Sequence, residues 1–148
     1  MGKFLISLLS ALAALLAAPA AAQQAVSLSS EAHVIRTVDG KDQLEAPTSV
    51  VPGDRLSFTI NYRNTDAAAV DDFVVTNPLP AAVALSAEGD FAVSVDGGKT
   101  FGTLAGLTVA EGEAQRPAVL ADVTHVRWTI PRIEPQATGQ LKYFAVVR

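Results

Sequence analysis

The segment Leu56-x-Phe58-x-Ile60-x-Tyr62 alternates large apolar residues with Ser57, Thr59, Asn61 and Arg63, and Val51-Pro52-Gly53-Asp54 stands just before it. Strict alternation puts one set on each face of an extended chain. The stretch is therefore a half-buried β-strand with Leu56, Phe58, Ile60 and Tyr62 toward a core. Pro52 fixes φ at the first corner of a turn, and Gly53 accepts the positive φ that the second corner demands. After a break at Asn64-Thr65-Asp66, residues 67–72 cross over, and Phe73-Val74-Val75-Thr76 reads as a short strand ended by Pro78 and Pro80.

The same pattern recurs along the chain. Val26, Leu28, Ala32, Val34 and Val38 share one phase and Ser27, Ser29, Glu31, His33 and Thr37 the other, so 26–38 is expected to be a strand. Ile35 and Arg36 break the pattern, which suggests a bulge or a change of sheet. Asp39-Gly40-Lys41 turns the chain, and a short segment over 44–51 leads to Pro52. Phe91-x-Val93-x-Val95, Asp96-Gly97-Gly98-Lys99 and Thr100-Phe101 form a hairpin signal. Residues 102–122 are expected to be a long loop with a short strand at Leu107-Thr108-Val109. In Val126-x-Trp128-x-Ile130 the tryptophan is expected in the core, Pro131 and Pro135 bracket a turn, and Leu141-x-Tyr143-x-Ala145-x-Val147 is the last strand. These elements predict an all-β fold, an immunoglobulin-like antiparallel β-sandwich of about seven strands.

Met1-Gly2-Lys3, an apolar run from Phe4 to Ala18, Pro19 and Ala20-Ala21-Ala22 read as a cleavable signal helix over residues 1–22, with residues 23–148 as a single domain. That run is shorter than the roughly 20 residues needed to span a bilayer, so no membrane span is expected after cleavage. The expected location is the periplasm or the cell surface of a bacterium. With no cysteine, the exported domain must hold by its packing. Loss of Lys3 leaves ten basic residues against fifteen acidic ones and moves the formal net charge from −4 to −5. A phosphate backbone is repelled by that charge, so nucleic acid is not expected as a partner.

Catalysis requires a converging set of groups. The chain has no cysteine and no Gly-x-Ser-x-Gly elbow, and His33 and His125 stand alone, which reads as two surface histidines. No paired His or Cys spacing suits zinc. Asp71 and Asp72 point to opposite faces if the chain there is extended; only in a loop with Asp66 could they help to hold Ca²⁺. No catalytic residue, metal ligand or cofactor is expected.

Taken together, Val51-Pro52-Gly53-Asp54, Phe58-x-Ile60-x-Tyr62-x-Asn64, Phe73-Val74-Val75-Thr76-x-Pro78-Leu79-Pro80 and Trp128-Thr129-Ile130 with Ile133-x-Pro135-x-Ala137 resemble DUF11, an extracellular immunoglobulin-like repeat domain of bacteria and archaea. The resemblance covers about residues 48–148. Segment 94–101 is similar to short single-domain proteobacterial members. Asn77 departs from the family, which commonly has Asp there, and one copy stands where the family often shows tandem arrays. The resemblance implies a surface or envelope module with no catalytic residues to carry over.

One surface stands out. With Leu141, Tyr143, Ala145 and Val147 turned inward, Lys142, Phe144 and Val146 lie on the outer face of the last strand. They form a candidate interaction surface, for self-association or for a partner that pairs with an edge strand. The expected function is a non-catalytic module that supports envelope or surface structure through contacts with other envelope or surface proteins. The alternative is a small ligand-binding module for carbohydrate or calcium.

Overall fold

Alternation and turn chemistry resolve into ten strands among residues 25–148, which the computed structural model describes; the signal helix expected over residues 1–22 lies outside them. The strands are β1 (Val26–Val38), β2 (Lys41–Glu45), β3 (Arg55–Asn64), β4 (Val70–Pro78), β5 (Val83–Leu85), β6 (Ala92–Ser94), β7 (Thr108–Glu111), β8 (Ala114–Pro117), β9 (His125–Ile133) and β10 (Thr138–Val147). Two one-turn 3₁₀ segments, Leu104–Gly106 and Leu120–Asp122, are the helices of the described residues. No helix among these residues is long and apolar enough to cross a membrane.

One sheet runs β2-β1-β3-β10-β5 and the other β4-β9-β6, with antiparallel pairing throughout; β7 and β8 form a separate hairpin. The two sheets face each other in an all-β antiparallel sandwich of immunoglobulin-like architecture. Ile60, Val75, Leu85, Val93, Val126, Trp128 and Tyr143 are buried together between them. Trp128 is 7% exposed, as expected of a core residue. It meets Phe91 edge-on at 5.3 Å and Tyr143 at 6.2 Å, and Tyr143 stacks on Phe58 at 4.8 Å.

Two of the crossings between the sheets, β3 to β4 and β9 to β10, lie at the same end, where Asn64 joins them. Its side chain is in phase with the inward series of β3 and is fully buried. The Nδ2 group donates to the carbonyls of Ala68 (2.8 Å), Ile133 (3.2 Å) and Glu134 (3.2 Å), while Oδ1 accepts from the Asp66 N–H at 3.0 Å. The Asn64 N–H bonds the Ala137 carbonyl at 2.9 Å. A burial that would otherwise be costly is thus offset by hydrogen bonds to every polar atom of the side chain.

The turns follow their residues. Gly53 has φ 92° and the Asp54 N–H bonds the Val51 carbonyl at 3.0 Å, as a type II turn requires. Asp54 also accepts from the Val51 N–H at 3.0 Å and from Arg36 Nη2 at 3.0 Å, and the Arg36 guanidinium holds its carboxyl below the usual range. In the 94–101 hairpin, Asp96 accepts from Thr100 Oγ1, from the N–H groups of Thr100 and Lys99 at 3.0 Å each, and from Ser94 Oγ at 2.7 Å. These donors, Thr100 first, hold its carboxyl well below the usual range.

Several expectations are corrected. Neither a bulge nor a change of sheet interrupts β1 at Ile35 and Arg36: its register with β3 is unbroken from Val26 to Ile35, and β2 pairs its other edge over Val34–Val38. Arg36 breaks the pattern because it reaches Asp54. β4 starts at Val70 rather than Phe73, since Asp71 is anchored across the ladder by Arg132 at 2.8 Å. Pro131 lies inside β9 rather than in a turn. Its position is beyond the three residues that β6 pairs, so the missing N–H leaves no partner unsatisfied.

Candidate interaction surface

The alternation of β10 decides which side chains face out. Tyr143 and Ala145 are buried at 1% and 0%, while Phe144 is 44% exposed, Lys142 is exposed and Val146 is half-buried. The three expected residues therefore share the outer face. The edge-strand part of the expectation is corrected: β10 is an interior strand, paired with β3 over Thr138–Val146 and with β5 over Ala145–Val147.

Register across the first sheet shows what surrounds them. His33, Ser57 and Phe144 form one row, and Ile35, Arg55, Val146 and Ala84 form the next. Leu44 of β2, 60% exposed, stands opposite Ile35 and extends the row. Ser57 points outward yet is only 4% exposed, which places it beneath its neighbours His33 and Phe144. Arg55 might have split the apolar row, but its guanidinium is drawn away to Asp42 at 2.8 Å and Thr37 at 3.0 Å. The result is an apolar end of the face, Leu44, Ile35, Phe144 and Val146, with ion-paired charge at its margin. Leu44 and Ile35 lie outside the three residues expected from sequence; Ile35 is the apolar residue in the otherwise polar phase of β1.

The other end of the face is polar. Ser29, Asn61 and Gln140 form a row there, as do Ser27, Arg63 and Thr138. Gln140 Nε2 donates to Asn61 Oδ1 at 2.8 Å, and Asn61 Nδ2 donates to Glu31 Oε1 at 3.0 Å. A groove of about 540 Å³ crosses the three strands at these residues.

The chain matches no family model, no curated protein and no solved structure. What can be said of its chemistry therefore comes from the geometry. The two histidines are in different sheets: His33 is in β1, and His125 in β9 has its Nδ1 3.0 Å from Thr124 Oγ1 and its ring edge-on to Phe101 at 6.5 Å. Among the described residues, no three His, Asp or Glu side chains gather where they could hold a metal ion. Asp71 is engaged by Arg132 and Asp66 accepts from the Ala67 N–H at 2.6 Å, so two of the three carboxylates considered for calcium serve the fold.

Proposed function

We propose that this chain is a non-catalytic module of the cell envelope or surface, of the DUF11 type and exported through its N-terminal segment. It acts through protein–protein contact on the outer face of the five-stranded sheet. The observation that carries this reading is the apolar end of that face, where Leu44 and Ile35 on β2 and β1 and Phe144 and Val146 on β10 flank the β3 residues Arg55 and Ser57, the first drawn aside to Asp42 and the second nearly covered. Single exposed apolar side chains are ordinary on any protein; a contiguous group rimmed by charge is the usual mark of a contact surface. Lys142, one residue pair further along β10, is placed to add a charged contact at the rim.

The alternative, a carbohydrate- or calcium-binding module, would use the polar end of the same face. Its amide and carboxylate groups already bond one another, and this favours the protein-contact reading. The double change Phe144→Ser with Val146→Thr separates the two. The variant should fold with an unchanged circular dichroism spectrum and lose association, with itself or with an envelope partner, as measured by sedimentation velocity. Unchanged association in a folded variant would remove the patch from the function.

A further inference from the structure

Four strands of the larger sheet, β1, β3, β10 and β5, stand side by side, but the sheet that covers them has three. β9 lies over β10, where Trp128 meets Tyr143; β4 follows β3 through the first crossing; β6 and β5 share the core through Val93 and Leu85. β1 has no strand over it. Its inward row records the gap: Val26 and Val34 are 3% and 1% exposed, while Leu28 between them is 49% exposed. Beside this gap runs β4, which pairs with β9 on one side and with no strand among the described residues on the other. The Leu79 N–H bonds the Thr124 carbonyl at 2.8 Å. The alternation of an antiparallel ladder then turns the main chain of Val75 and Asn77 toward β9 and leaves the N–H and C=O of Val74 and Thr76 at the open edge. Between β4 and β1 lies a cavity of about 260 Å³ lined by Ala32, Phe58, Pro80, Tyr143 and Glu31 among others. Asn77 Nδ2 donates to the Tyr143 hydroxyl at 2.9 Å and fixes the inner wall.

We propose that this gap is a strand-acceptor site: an extended segment of a partner protein adds to the edge of β4, covers Leu28 and sets one apolar side chain into the cavity beside Phe58 and Tyr143. Main-chain bonds to Val74 and Thr76 supply affinity, and the cavity supplies selectivity. The segment carries a basic residue as well as alternating apolar ones. β4 has two carboxylates, Asp71 and Asp72, and no basic residue, and Asp72 makes no ion pair among the described residues. A second copy of this chain is not the occupant. If it offered its own β4 in antiparallel pairing, both larger sheets would lie on the same side. Each overhang of β1 and β2, one or two strands and so roughly 5–10 Å wide, would then enter the other molecule. The site is separate from the outer-face patch, so either can fail alone.

The test uses the purified protein and a panel of acetylated nonapeptides with Val, Ile, Leu or Phe at alternate positions, Thr between them and Lys at both ends. At least one should bind saturably, with amide NMR shifts confined to β4 and the inward row of β1. Val74→Pro removes an edge N–H while leaving the bonds to β9 in place, and should weaken binding at least tenfold. Asp72→Asn keeps a residue type that tolerates the observed φ of 50° and should weaken it severalfold through the lost charge. Should Val74→Pro disturb the fold, Leu28→Glu serves in its place with the same tenfold expectation. Absence of binding across the panel, shifts centred on Phe144, equal affinity in the folded variants, or dimerisation through β4 would each overturn the proposal.

Discussion

Trp128→Ala lowers the unfolding free energy by about 3–5 kcal/mol, as removal of a large buried aromatic side chain does. The indole is packed between Phe91 and Tyr143, and its loss leaves a cavity where the two sheets meet. A domain of this size has roughly 5–15 kcal/mol to lose, so soluble yield should fall sharply. Trp128→Phe retains an aromatic ring for both neighbours and should cost less than half as much. Urea denaturation followed by circular dichroism measures both. A Trp128→Ala protein with an unchanged midpoint would show that this side chain is not part of the core.

Asn64→Ala should cost about 3 kcal/mol, because the Ile133 carbonyl is left buried without this donor, at about 1–3 kcal/mol, and the part-buried bonds to Ala68 and Glu134 are lost with it. The methyl group reaches none of the carbonyls of Ala68, Ile133 and Glu134. Asn64→Asp should be worse at neutral pH, since an ionised carboxylate would face those same oxygens. The damage is expected at both crossings together. Hydrogen exchange should show lost protection at the amides of Asn64 and Asp66, with the centre of β9 less affected. If only one crossing loosens, Asn64 does not join them.

Much of this was legible because the period-2 signal is local. The inward series Leu56, Phe58, Ile60, Tyr62 already includes Asn64 as its next member, so a buried asparagine could have been read from phase alone. The same local logic gave the turns at Gly40 and Gly53, both of which have positive φ. What depends on distant pairing was not legible. β5 is three residues long, too short for alternation to register, and its place beside β10 is what makes the last strand an interior one. The apolar end of the outer face brings together Leu44, Ile35, Phe144 and Val146, residues as much as about a hundred positions apart that meet only once the strand order is known. Pro131 misled for a related reason: whether a strand tolerates proline depends on whether a neighbour needs its N–H.

The most direct test of contact through the outer face is site-specific photo-crosslinking in the intact cell. A photo-activatable residue is placed at position 144 in one protein and at position 61, on the polar end of the same face, in another. Position 144 should give a discrete adduct of defined mass, to an envelope protein or to a second copy of the chain, and Val146→Glu should suppress it. Position 61 should give none. No adduct from position 144, or the same adducts from both positions, would contradict a contact role for Phe144 and its neighbours.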